Sequence, residues 1–228
     1  TPYVVIQNVG AYLDVPRFLD AEHQINEAAD AEAYLSRLQS YPKQLEGELE
    51  RAASARARGV VPPDFLLDKA LGQLKQSVDG ARKGGGLVES IERRTRDENI
   101  AGNWTERARS IVQQDVVPAL ERQIAELTAE RAQAKSAPGM WAQPGGDAYY
   151  AWALKASTTT TMTPDEVHQM GLEDLRSLQA RMDPILRSLG YTKGSVGERM
   201  QALGKDPRYK FAPGDKGRAE IMAFIEER

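Results

Sequence analysis

Apolar residues recur along most of this chain at intervals of three and four, the spacing that puts them on one face of an α-helix. Tyr34, Leu35 and Leu38 form such a stripe, with Asp30 in position to act as an N-cap. Pro42 interrupts the pattern. It resumes through Leu45 and Leu49 to Arg58, where Gly59 can supply the left-handed stop. The two runs read as one long helix kinked at the proline. Pro62-Pro63-Asp64 opens a further helix, whose stripe is Phe65, Leu66, Ala70, Leu71 and Leu74. Lys83-Gly84-Gly85-Gly86 reads as a loop. From Asn103 and Glu106 a long helix is expected over Trp104 to about Lys135, kinked at Pro118. Asp147 to Ala156 is a short aromatic helix.

The clearest local signal is Thr163-Pro164-Asp165-Glu166, where a Thr cap, a first-turn Pro and a Glu at the third helical position form a capping box. The helix it starts carries Val167, Met170, Leu175, Leu178, Met182, Ile185, Leu186 and Leu189, and ends at Gly190. Shorter helices follow from Val196 to Leu203 and from near Asp215. Alternating strand patterns are nearly absent. The expected class is all-α, a multi-helix array with long kinked helices. At most one short extended segment is expected, near 157–162, where Ser157 and four threonines disfavour helix. The chain reads as a single helical region over 1–228, with a possible internal boundary in the turn-rich stretch 137–146.

Composition narrows the function classes. Charged residues are 28% and hydrophobic ones 41%, enough apolar content for a folded core. The net charge of −3 offers no basic field for nucleic acid. No apolar run approaches the roughly 20 residues that span a bilayer. With no cysteine, disulfides and thiolate metal sites are excluded. The opening, Thr1-Pro2-Tyr3-Val4-Val5-Ile6, lacks an initiator Met and the layout of a signal peptide. The last residues stop inside a helical pattern with nothing to end it. Both ends predict a piece of a longer protein.

Candidate chemistry is sparse. The two histidines, His23 and His168, are far apart, and neither sits in His-Glu-x-x-His. No complete metal site is expected. His168 lies near Thr158 to Thr161, but one turn into its helix beside an apolar stripe, it reads first as a packed boundary residue. The Thr run reads as a connector capping the next helix, or as an edge that lends backbone groups to a peptide. Tyr149, Tyr150 and Trp152 suit either a core or the wall of a cleft.

Several segments resemble the bacterial domain-of-unknown-function 885 family. They include Pro2-Tyr3-Val4-Val5, Val15-Pro16-Arg17-Phe18-Leu19, Asp30 to Leu38 and Gly59-Val60-Val61-Pro62-Pro63-Asp64-Phe65. The most specific are Tyr149-Tyr150 with Thr158-Thr159-Thr160, then Thr163 to His168, Gly171-Leu172 and Gly194 to Arg199. The resemblance implies kinship with gluzincin-type zinc metallopeptidases, in which a zinc-bound water activated by a glutamate attacks a peptide carbonyl. Their His-Glu-x-x-His-like helix lies downstream of everything in this sequence, so no catalytic residue carries over. Zinc is then expected only in the full-length protein, and the partner is the C-terminal half of the same chain. On this reading Tyr149, Tyr150, Thr158, Thr159, Thr160 and His168 contribute to a peptide-substrate cleft. A periplasmic or cell-envelope location follows from the family, with the cytoplasm as the alternative. The competing expectation is a non-catalytic helical binding module.

Overall fold

The computed structural model describes residues 2–227, so Thr1 and Arg228, the end positions of the sequence reading, lie outside the described residues. These residues are all-α: no strand forms among them, and the only β-type pairing is an isolated bridge between Ile6 and Val9. Two compact units divide after Tyr150.

The first unit begins with α1 (Ala11–Arg17), which runs directly into a π-helical turn, Phe18–Glu22. Next come α2 (Ala28–Ala57), α3 (Asp64–Arg82), α4 (Leu87–Asp97), α5 (Trp104–Ile111) and α6 (Val117–Gln133). α6 packs on both α2 and α3, and α5 packs on α4 and α2. The core between them includes Tyr12, Tyr34, Tyr41, Leu38, Leu74 and Leu127, each nearly or fully buried. Burying a side chain of that size contributes about 2–3 kcal/mol. The Tyr34 hydroxyl donates to the Leu87 carbonyl at 2.8 Å, joining α2 to the start of α4.

At Pro42 the expected single long helix forms, whereas at Pro118 it does not. α2 continues through Pro42 without a break from Ala28 to Ala57. It also starts before Asp30, which is the third helical residue: its carboxylate accepts from the Asn26 and Glu27 N–H groups at 2.9 and 3.3 Å. The helix expected from Trp104 to Lys135 is two helices joined by a π-helical turn, Val112–Val116, in which Val117 N–H bonds back to the Val112 carbonyl. Pro118 follows at once. A proline lacks the N–H that would serve the carbonyl four residues back, and a wider turn is one way the backbone absorbs that loss. Pro16, by contrast, precedes the π-helical turn after α1. The sequence reading omits α4, although Leu87, Val88 and Ile91 are all buried at helical spacing.

The second unit contains most of α7 (Gly146–Thr158), with α8 (Pro164–Ser188), α9 (Val196–Lys205) and α10 (Gly214–Glu226). The capping box at Thr163 forms as expected: Glu166 N–H donates to the Thr163 hydroxyl at 3.3 Å, and Thr163 N–H to the Glu166 carboxylate at 2.7 Å. Ser195 and Glu198 repeat the motif at α9. Asp183 binds Arg187 at 2.7 Å and the buried Arg199 at 2.5 Å, tying α8 to α9. These two guanidinium groups hold the Asp183 carboxyl below its ordinary range. Little apolar surface is covered here. Leu175, Leu178, Ile185 and Leu189, spaced by three, seven and four residues, fall on one apolar helix face, yet each is 41–60% exposed.

Candidate functional site

The residues singled out from sequence are divided between the two units. Tyr149 and Tyr150 lie early in α7 and end the first unit; Tyr150 is exposed and Tyr149 half-buried. Trp152 and Trp141 are also exposed, whereas Trp104 is core. The Thr run does not form an extended edge. Thr158 is the last residue of α7, and its hydroxyl donates to the Leu154 carbonyl at 2.8 Å, the back-bond open to a helical threonine. Thr159 adopts φ 57°, and the Thr158 and Thr160 hydroxyls lie 3.0 Å apart. These hydroxyls close the end of a helix.

His168 is exposed on α8, against the expectation of a packed boundary position. The neighbouring stripe on α8 is itself uncovered, so there is no core for the ring to border. His23 is instead the buried one. Its Nε2 lies 3.0 Å from the Asp30 carbonyl and its Nδ1 2.7 Å from an Arg37 guanidinium nitrogen. Since Arg can only donate, Nδ1 accepts and the proton sits on Nε2, a neutral tautomer spent on structure. Among the described residues, no three His, Cys, Asp or Glu side chains cluster to hold a metal ion. The side chains present therefore do not fit the zinc that the family resemblance implies.

Glu130 is 3% exposed, and burial, with Glu126 nearby, pushes its pKa up to about 7 against the lowering effect of Arg56. A carboxyl perturbed in this way is a common mark of an active site. The void beside it, bordered by Pro2 to Val5 and by Ala52 and Ala55, measures only about 10 Å³, room for no more than one water. Glu130 is thus a packing residue, not a reactive one.

The concave feature of the first unit lies elsewhere. A cavity of about 250 Å³ sits between α1, α3, the glycine loop and the π-helical turn, with Tyr12, Tyr41, Val112, Val116 and Leu120 among its walls. It shares Pro16, Gly86 and Leu87 with a second recess of about 460 Å³, which Arg17, Asp20, Glu89 and Arg93 also line. The two form an apolar chamber behind a charged mouth. In the chamber wall, the Tyr12 hydroxyl lies 2.7 Å from Gln73 Oε1 and 3.0 Å from the Ile6 carbonyl, and burial raises its pKa to about 12. The Tyr41 hydroxyl is buried with no hydrogen-bond partner. Burial, then the nearby Glu48, drive its pKa well above the ordinary phenol range. Glu48 is itself buried beneath α1, where its carboxylate accepts from the Ala11 N–H at 2.9 Å and from Gln123 at 3.1 Å. The sequence reading takes Lys83 to Gly86 as a plain connection. The available signal was the pair of tyrosines on apolar helix faces, each carrying a hydroxyl that needs a partner when buried.

Among the described residues, no helix is long and apolar enough to cross a membrane. No curated protein matches the chain. The chain superposes over its whole length on part of the crystal structure of a "putative lipoprotein" from Colwellia psychrerythraea. The TM-score is 0.93 and the identity 28%; the match covers 100% of this chain and 40% of that one. This chain therefore spans well under half the length of the protein it resembles. Residues 3–228 match the family described as "Bacterial protein of unknown function (DUF885)", and the chain belongs to that family.

Proposed function

We propose that this chain is the helical scaffold and substrate-cleft portion of a longer metallopeptidase-like hydrolase, whose reactive centre is built by residues outside it. The observation that carries the proposal is the match to 40% of the Colwellia chain, in which this whole fold recurs as one part of a larger protein. The hydrolytic half of the reading rests on the resemblance of the family to gluzincin-type zinc peptidases. The uncovered stripe on α8 supports the scaffold half, since a helix face with this apolar spacing ordinarily packs on a neighbour. Tyr149, Tyr150, Thr158, Thr159, Thr160 and His168 remain the proposed contributors to substrate contact. The lipoprotein description of the Colwellia protein supports an envelope location.

Zinc analysis and a peptide-cleavage screen on a full-length protein containing this sequence, and on this chain alone, test the proposal. Stoichiometric zinc and cleavage by the full-length protein only are expected. Tight zinc binding by the 228-residue chain alone, or a full-length protein with neither property, refutes it. The latter result would favour the second reading, a non-catalytic helical binding module, for which the same α8 stripe is the natural contact face.

A further inference from the structure

We infer that residues 2–5 are a strap over the Glu130 carboxyl, closed while that carboxyl is neutral and released when it ionises. Ala52 and Ala55 of α2, Glu130 of α6 and residues 2–5 border one small void, together with Val60 and Pro62 from the connection between α2 and α3. Apart from Glu130 and the Tyr3 phenol, the side chains around it are apolar. The carboxyl is nearly inaccessible and accepts no hydrogen bond among the described residues. At about 10 Å³ the void cannot admit the several waters that an ionised carboxylate holds in solution.

The charges around Glu130 do not replace that water. On its own helix stands Glu126, a second carboxylate. From α2 comes Arg56, whose guanidinium is already closed on Glu126 at 2.6 and 3.1 Å. The strap contributes only the Tyr3 phenol, which is bonded to Gln143 and raised above its ordinary range by burial, so it stays neutral. The connection at Val60 to Pro62 carries no charge. Burial and Glu126 thus outweigh Arg56 and keep Glu130 protonated up to about pH 7. Above that, closing the strap means leaving a carboxylate in an apolar site.

Of the walls, the strap is the one that can yield. α2 and α6 are long helices packed on each other, and moving either would open the core. Residues 2–5 form no helix or strand. They are anchored by the buried Val5 side chain and by the Tyr3 bond to Gln143, which in turn holds the Val61 backbone at 2.8 and 3.1 Å. Just beyond them the chain is pinned. Ile6 and Val9 exchange backbone hydrogen bonds at 3.1 and 3.0 Å, and Asn8 bonds Gln73 through both its backbone N–H and its side chain. A loosely held segment with a fixed base is a strap with a hinge. Its release lets water reach Glu130 without unfolding the helices, a local opening of the kind that costs less than global unfolding.

The chain has no cysteine, so a single introduced thiol reports the opening. Ala52→Cys places it in α2 beneath the strap, and Ala108→Cys places another in the core of α5 away from the void. Each is labelled with a thiol reagent in the 228-residue chain, and its rate is divided by that of the same variant unfolded in urea at the same pH. At Ala52→Cys the ratio should rise about tenfold from pH 6 to pH 8, the most that a carboxyl titrating near 7 when closed and 4.5 when open can supply over that interval. Adding Glu130→Gln should remove the rise, and Ala108→Cys should stay protected throughout. Should Ala52→Cys fail to fold, the amide NMR signals of Val4 and Val5 in the unsubstituted chain carry the test: they should shift with a midpoint near pH 7, and Glu130→Gln should hold them still. Protection or amide signals that do not change with pH overturn the inference, as does a change that survives Glu130→Gln. Labelling of the Ala108 cysteine in step with the one at Ala52 also overturns it, by making the opening that of the whole unit.

Discussion

Replacing Glu130 with Gln should make this protein more stable at neutral and alkaline pH and leave it unchanged in acid. The side chain is buried where α6 faces α2 and the N-terminal segment, and burial raises its pKa from the ordinary 4.5 to about 7. The folded state therefore binds the Glu130 proton more tightly than the unfolded chain does. Stability from this group is fully present below pH 4.5 and is lost as pH rises from there to about 7, then stays constant. At about 1.4 kcal/mol per pH unit, the gap between the two values makes the ionised form about 3 kcal/mol less stable. Gln keeps the shape and removes the ionisation. Urea unfolding of both proteins across pH 4 to 9 gives the two stability curves. Other carboxylates titrate over the same range, so the informative quantity is the difference between the curves. It should be near zero at pH 4 and reach about 3 kcal/mol in favour of the variant by pH 8, some 6–12 °C in Tm for a unit of this size. A difference that does not change with pH, or a variant less stable than wild type at pH 8, refutes the reasoning. The Arg56–Glu126 ion pair, closed at 2.6 and 3.1 Å beside this site, gives an internal control. Arg56→Met should push the Glu130 pKa higher still, since Arg56 is the group that lowers it.

The remaining predictions concern local contacts. Glu48→Ala strips the Ala11 N–H and the Gln123 amide of a buried acceptor and should cost about 3 kcal/mol, read by chemical denaturation. Thr163→Ala breaks the α8 capping box and should lower stability by about 1 kcal/mol, with a fall in far-UV helicity. Leu178→Asp on the uncovered face of α8 should change stability by no more than about 0.5 kcal/mol. The same substitution should reduce self-association of the isolated chain in light scattering.

Much of the helical architecture was written in short-range signals. The capping box at Thr163, the glycine stops at Gly59 and Gly190, and the stripe from Tyr34 to Leu38 each depend on residues within one or two turns, and each appears as read. The single long helix through Pro42 also appears, whereas the one expected through Pro118 is interrupted by a π-helical turn. Whether Pro42, Pro118 or Pro16 kinks a helix depends on how the surrounding backbone can rearrange. Here α2 runs on unbroken, while the other two prolines sit beside a widened turn. Pattern and burial part company in the second unit. The α8 stripe has the spacing of a core face, but a pattern states only that a face is apolar, not that anything covers it.

The chamber was illegible for a geometric reason. Tyr12, Tyr41, Leu87 and Val116 come from four separate elements, and each alone has the signature of an ordinary core residue. A cavity is the space their elements leave on crossing, and no local window of sequence contains it. The glycine loop helps make that space: Gly84 and Gly86 hold φ 77° and 65°, a left-handed region costly to residues with a side chain. They turn the chain between the end of α3 and the start of α4. A run of three glycines thus reads as a flexible connection in sequence and acts in the fold as a fixed bend. Gly86→Ala at this positive φ tests that distinction. If the bend is fixed, Ala should destabilise the protein by about 1 kcal/mol and disturb the mouth, whereas a merely flexible connection would gain slightly from the same change.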